Sequence, residues 1–252
     1  MKNRIDVIGI GLEGITGLIE ETRILIEQAT VLVGSDRHLQ YFPDHPAEKL
    51  VLGDFLMIFE TMRRQIKEEE KIVVLVSGDP LFFGLGRLLV ENFPPEQLYF
   101  YPHLSSVQLA FNRLQLPWHD AKIVSVHGRS LNLLIPLLQK GVKKIAILTD
   151  QENNPAAIAQ FYQELDLPAS YEFWICERLG ATDEKVYSAA DLLLCISGIT
   201  FFTNQYNRCR RLLEQIEQYP CKDYSLILSI RSPHIDLFSQ YMNLFHCNWY
   251  LQ

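Results

Sequence analysis

The sequence has no apolar run approaching the roughly 20 residues that a membrane-spanning helix needs. It also has no charged leader followed by an apolar stretch and a cleavage site, because Met1-Lys2-Asn3-Arg4 runs directly into Ile5–Ile10. No membrane contact is expected, and the protein is read as cytoplasmic. Cysteine is scarce: Cys176, Cys195, Cys209, Cys221 and Cys247 form no CxxC pair and show no metal-ligand spacing. No metal is expected, and the thiols are read as free in a reducing compartment. Positive charge is short as well. The net charge of −7 argues against nucleic acid as a partner, which needs a basic footprint. It leaves room for an anionic small molecule, because a few arginines in a cleft set the local field. No Ser-His-Asp or Cys-His arrangement commits the chain to covalent catalysis, and no catalytic base is assigned.

What is present is enough chain and enough apolar surface for a core. The 252 residues, 48% of them hydrophobic, suit one large α/β domain or two small ones. The first 180 residues alternate strand and helix patterns. Strands are expected at Ile5–Ile10, Val31–Val33, Ile72–Val76, Leu98–Tyr101, Ile123–Val126, Lys144–Leu148 and Tyr171–Cys176. Helices are expected over Thr16–Ala29, Phe55–Glu70, Gly84–Glu91, Ser105–Leu114, Leu131–Gln139 and Pro155–Leu165, with Ser105 or its neighbour as an N-cap. Repeated βα units imply mostly parallel sheets covered by helices. The segment Leu116-Pro117-Trp118-His119-Asp120 interrupts the pattern. The expected division is an N-terminal α/β domain over 1–116, a C-terminal α/β domain over 117–200, and an atypical tail over 201–252.

Two glycine-rich loops stand out. Gly9-Ile10-Gly11-Leu12-Glu13-Gly14 follows a strand and precedes a helix, in the literal GxGxxG pattern. A dinucleotide site would also need an acidic residue ending the next strand, and Gly34-Ser35-Asp36-Arg37 offers Asp36, a late match. A ligand-free turn and a loop for another ligand stay open. The second loop, Ser77-Gly78-Asp79-Pro80-Leu81-Phe82-Phe83-Gly84, ends a strand buried on both sides. Ligands of open α/β sheets bind at such strand ends.

At these residues the chain resembles the tetrapyrrole methylases. Ser77–Gly84 looks like their signature loop. Gly9–Leu18, Val31–Leu39, Pro102–Leu116, Trp118–Arg129 and Glu177-Arg178-Leu179-Gly180 resemble, in order, the N-terminal C5-methylating module of the precorrin-6Y C5,15-methyltransferases over roughly residues 3–200. Leu12 departs from the proline usual there. The resemblance implies two α/β domains with a cleft between them that binds S-adenosylmethionine (SAM), in a homodimer. It implies cofactor contacts from Ser77, Gly78, Asp79, Ser105, Ser106, Thr149 and Asp150. It implies substrate contacts from Gly9, Gly11, Arg37, His38 and Arg129, with His127 either a ligand contact or a structural hydrogen-bonder. The implied reaction is transfer of the SAM methyl to C5 of a corrin precursor, precorrin-7 or cobalt-precorrin-7, in cobalamin synthesis. A separate module would methylate C15 and decarboxylate. Competing readings are another tetrapyrrole methylase, a nucleotide-binding oxidoreductase, and a non-catalytic SAM-binding remnant.

The last 52 residues contain no glycine, alanine or valine. Gly, Ala, Val, Asp and Glu, whose codons begin with G, fill 64 of the first 200 positions and 4 of the last 52. Phe201-Phe202-Thr203-Asn204-Gln205-Tyr206-Asn207-Arg208 stands where the family has a further strand. Shifting the frame by one base there permits Phe-Ser-Pro-Ile-Asn-Ile-Ile-Val. A frameshift near residue 200 is one reading. A divergent tail, with a helix around Arg210–Gln218 and a strand around Leu226–Ile230, is the other.

Overall fold

A computed structural model describes residues 4–165, 167, 171–188 and 224–230. These fall into two compact units. One holds residues 4–116 with 178–184. The other holds the described residues from 117 to 177 with 185–188 and 224–230.

The first unit is built on a five-stranded parallel sheet. Its strands are β1 (Ile5–Ile10), β2 (Val31–Gly34), β3 (Glu48–Val51), β4 (Ile72–Ser77) and β5 (Leu98–Tyr101), in the order β3-β2-β4-β1-β5. The apolar runs of β1 and β4 are buried on both faces, as a central parallel strand requires. Alternate side chains feed two cores. Ile5, Val7, Ile72, Val74 and Val76 join one with Phe59, Met62 and Leu89. Ile8, Ile10, Val73 and Leu75 join the other with Leu18, Ile26 and Leu39. Each fully buried aliphatic side chain contributes about 1.5–3 kcal/mol.

Helices α1 (Glu20–Glu27), α2 (Asp36–Gln40), α3 (Phe55–Lys67), α4 (Gly86–Asn92) and α5 (Ser106–Arg113) connect and follow these strands. In α3, Asp54 caps the start by accepting from Leu56 N at 2.9 Å. Ile58, Phe59, Met62 and Ile66 then form its buried stripe. The long helix expected over Thr16–Ala29 is broken. Gly14–Gly17 forms a 3-10 turn, Leu18 and Ile19 are extended, and α1 begins only at Glu20. Gly14 lies at φ +62 and the Thr16 hydroxyl donates to Glu13 O at 2.8 Å, so local bonding competes with α-helix. Helix α2 and strand β3 lack a sequence signature, being short and polar.

The second unit holds β6 (Lys122–Ser125), β7 (Lys144–Leu148), β8 (Tyr171–Glu177), β9 (Lys185–Ser188) and β10 (Tyr224–Ile230), in the order β6-β7-β10-β8-β9. This sheet departs from the expected parallel arrangement. Only β6 and β7 pair in parallel, whereas β10 runs antiparallel to β7 and β8, and β9 antiparallel to β8. Helices α6 (Ile135–Gln139) and α7 (Pro155–Glu164) contribute to a core of Leu138, Ile145, Ile147, Ile158, Tyr171, Phe173 and Ile175. The helix expected from Leu131 starts as a 3-10 turn over Leu131–Leu134, because Pro136 has no N–H to continue an α-helix backwards.

Strand β10 is the described part of the tail. Its backbone sits between β7 and β8, with Leu226 opposite Ile147 on one side and Ile175 on the other. The remaining tail positions, including Phe201–Arg208 and Arg210–Gln218, lie outside the described residues. So do four of the five cysteines; Cys176 is buried.

Candidate functional site

The first unit has a topological switch point. β1 leads through α1 to β2 on one side, while its neighbour β4 leads through α4 to β5 on the other. The two helices therefore lie on opposite faces, Ile26 of α1 in one core and Leu89 of α4 in the other. Neighbouring strands whose connections diverge leave a crevice at their carboxyl ends, where open α/β sheets bind ligands. Those ends are Ile10 and Ser77, which stand in register.

Three loops close on this crevice. Gly78 N donates to Ile10 O at 3.2 Å, and His103 N donates to Gly78 O at 3.3 Å. Gly9 is buried, and a Cβ there would stand 1.9 Å from Gly78 O and 2.7 Å from His103 N. Gly9 thus acts by letting the loops meet rather than by offering a face to a ligand. Gly11 is covered by the Glu13 carboxyl, 2.1 Å from where its Cβ would be. Gly78 itself is left-handed, at φ +62, with Ser105 Cα 3.1 Å from its missing Cβ. Only glycine meets both conditions without strain.

Side chains gather around the same edge. Arg37 donates to Ser77 Oγ at 2.8 Å, and Nε2 of the buried His38 lies 3.1 Å from the same oxygen. His38 Nδ1 faces Ser35 Oγ at 3.1 Å, and Ser35 caps α2. Asp79 Oδ1 accepts from Leu81 N at 2.9 Å, holding the turn that follows Gly78. Ser105 is the N-cap of α5, in a capping box with Gln108, and Ser106 opens the helix. Asp36 opens α2 at the end of β2. Because β4 lies between β1 and β2, Asp36 is about 10 Å from β1 in strand spacings, which removes the dinucleotide geometry.

A second cluster lies in the second unit, after β6 and β7. Asp150 accepts from Gly128 N at 2.5 Å and from Asn153 N at 2.6 Å. Asn153 in turn donates to Val126 O and Arg129 O. His127 Nδ1 donates to Thr149 O at 3.2 Å, so His127 is a structural hydrogen-bonder here. Thr149 is buried and Arg129 exposed. Burial pushes the Asp150 carboxyl up, but the amides of Gly128, Asn153 and Glu152, with His127, outweigh it and hold it below the usual carboxylate range. Asp150 is the latch of the His127–Arg129 turn.

The predicted residues thus form two groups: Gly9, Gly11, Arg37, His38, Ser77, Gly78, Asp79, Ser105 and Ser106 in one unit, and Arg129, Thr149 and Asp150 in the other. Residues 4–192 match the family described as Tetrapyrrole (Corrin/Porphyrin) Methylases. The chain belongs to the tetrapyrrole methylases. It is 35% identical over 185 residues to a precorrin-6Y C(5,15)-methyltransferase [decarboxylating] of Sinorhizobium sp, covering 71% of this chain but 43% of that protein. It therefore spans less than half of that relative. A cobalt-precorrin-7 C(5)-methyltransferase of Salmonella typhimurium is 33% identical over 157 residues, covering 61% of this chain and 75% of that one. In fold the chain is similar to the uroporphyrin-III C-methyl transferase of Thermus thermophilus solved with S-adenosylhomocysteine. The TM-score is 0.60 at 20% identity, over 93% of this chain and all of that one.

For this tetrapyrrole methylase, sequence reasoning missed Glu13 and His103. Glu13 Oε1 meets His103 Nε2 at 2.9 Å, beside Gly78. Glu13 is a variable position of the GxGxxG pattern, and His103 precedes the Ser-Ser turn. Only the folded sheet brings them together.

Proposed function

We propose that this chain is a SAM-dependent C-methyltransferase acting on C5 of precorrin-7 or cobalt-precorrin-7 in cobalamin synthesis. The observation that carries the reading is the carboxyl edge of β1 and β4, where their connections leave for opposite faces of the sheet and Ser77, Gly78 and the Ser105-Ser106 turn gather. The fit to SAM rests on its donors: hydroxyls and backbone groups suit the ribose and amino-acid ends, and the missing Cβ of Gly78 lets the Ser105 backbone close to 3.1 Å of that position, which brings the Ser-Ser turn to the strand end. Bound SAM would supply a methyl group on a sulfonium: an electron-rich ring carbon would attack that methyl in line as the S–CH3 bond breaks, and S-adenosylhomocysteine would leave. Ser77, Gly78, Asp79, Ser105 and Ser106 would hold it, and Thr149 and Asp150 are proposed as further cofactor contacts. The polycarboxylate substrate is met by Arg129, with Arg37 and His38 near the Ser77 rim. The protein works in the cytoplasm as a homodimer, and a separate module carries out the C15 step.

Two relatives named for C5 methylation support this choice over other tetrapyrrole methylases. Calorimetric titration with S-adenosylhomocysteine, with NAD as control, tests the cofactor: one site per chain and no NAD binding are expected. Transfer of labelled methyl from SAM to precorrin-7 or cobalt-precorrin-7 tests the reaction. The composition change after residue 200 favours one second reading, a SAM-binding chain without turnover. Tight binding without label transfer to either substrate would establish it.

A further inference from the structure

We propose that Glu13 and His103 form a clasp that presets the crevice loops and thereby sets cofactor affinity. His103 joins three loops at once. It lies in the loop after β5, its backbone N–H donates to Gly78 O in the loop after β4, and its ring meets Glu13 in the loop after β1. The carboxylate only accepts, so Nε2 is the donor across the 2.9 Å contact. Both side chains are largely covered, at 14% exposure for His103 and 27% for Glu13, so water competes weakly for the pair.

The surroundings are shaped to the Glu13 carboxyl. Cβ atoms at Gly11, Gly17 and Gly180 would stand 2.1, 2.3 and 2.9 Å from Glu13 side-chain atoms. Gly11 and Gly17 thus leave room for the Glu13 side chain, while Gly180 is required in any case by its left-handed backbone at φ +89. Glu13 Oε2 is buried with no hydrogen-bond partner among the described residues. A desolvated oxygen left unpaired is destabilising. An apolar side chain of similar length would avoid the unpaired oxygen, so stability does not account for a carboxylate at this position. Loop position does: holding loops in their bound arrangement before the ligand arrives removes an ordering cost from binding. Glu13 and His103 are positioning residues, acting through Gly78 and the loop backbones.

The link to cofactor rests on the methylase reading, whereas the link to loop order does not. The test uses the full chain with Glu13→Ala, His103→Ala, the double variant and Glu13→Gln. Each alanine variant is expected to weaken S-adenosylhomocysteine binding about tenfold. It should raise KM for SAM and leave kcat at saturation near wild type. The double variant should be no weaker than the worse single, and Glu13→Gln, which keeps an oxygen opposite Nε2, should regain most of the affinity. Wild-type binding in both single variants, or a double variant whose loss is the product of the singles, overturns the clasp. If an alanine variant does not fold, His103→Phe, which keeps a ring and loses Nε2, takes its place with the same outcomes. If the wild-type chain itself binds no S-adenosylhomocysteine, the methylase reading fails and hydrogen exchange decides the clasp. Faster exchange at residues 11–14 and 102–105 in the variants upholds it, and unchanged exchange overturns it.

Discussion

The guanidinium of Arg37 donates to the hydroxyl of Ser77 at 2.8 Å, and the ring of the buried His38 meets that oxygen at 3.1 Å. Arginine can only donate, so Ser77 Oγ accepts from Arg37, and its contact with His38 Nε2 runs in the direction that the imidazole tautomer sets. Arg37→Ala is therefore expected to weaken S-adenosylhomocysteine binding as well as corrin binding. An arginine that served the substrate alone would leave titration with S-adenosylhomocysteine unchanged. Ser77→Ala removes one of the two hydroxyls that face the buried His38 ring and is expected to cost about 1–3 kcal/mol in urea unfolding.

Glycines near the crevice separate by what stands where a side chain would go. Gly9→Ala places a methyl against the Gly78 carbonyl and the His103 amide, both backbone. A loss of about 3 kcal/mol or more is expected. Gly78→Ala adds the left-handed penalty of about 1–2 kcal/mol to the Ser105 contact, with at least a tenfold loss of S-adenosylhomocysteine affinity. Gly53→Ala is the control, since nothing lies within 4 Å of its Cβ position; a change within about 0.5 kcal/mol is expected. Equal effects at all three positions would contradict the packing described.

The Asp150 latch predicts an acid-side dependence. Its carboxyl is held below the usual range, so its contribution is present above the unfolded-state pKa and is lost as pH falls through the folded one. The stability difference between wild type and Asp150→Ala should be largest at neutral pH and shrink steadily in acid. Glu184 follows the same sign, held down by the Arg113 side chain and then by the Gly180 amide. Unfolding curves across the carboxylate range decide this, and a difference that grows on acidification would refute the latch.

The tail has a direct test. Resequencing the gene and its transcript around codon 200 is expected, on the frameshift reading, to reveal Phe-Ser-Pro-Ile-Asn-Ile-Ile-Val in the shifted frame. An intact frame through codon 252, with the corresponding protein mass, would instead favour the divergent tail. Deleting residues 224–230 would then strip β7 and β8 of their shared partner and should abolish the cooperative unfolding of the second unit.

Much of the first unit was legible because its central strands are long apolar runs. β1 and β4, like β7 of the second unit, carry their burial in composition, and Ser105 carries its cap in the Ser-x-x-Gln spacing of a capping box. The edges were not legible. β3 reads Glu-Lys-Leu-Val and β9 Lys-Val-Tyr-Ser, and pairing with one neighbour demands little apolar surface. Helix α2 has five residues, too few for periodicity. The antiparallel entry of β10 between β7 and β8 depends on pairing across more than 45 residues of chain, which no local pattern records.

The sequence by itself determined the α/β alternation, the two glycine-rich loops at strand ends and the family resemblance, because each is written in neighbouring residues. Tertiary structure decided the rest. Inserting β4 between β1 and β2 removed Asp36 from a dinucleotide role and brought Ser77 to the crevice. Folding the β5 loop over Gly9 set His103 against Glu13, 90 positions earlier in the chain. Strand order and loop closure are long-range choices, settled by which faces can be buried together, and a residue's local spacing carries no trace of them.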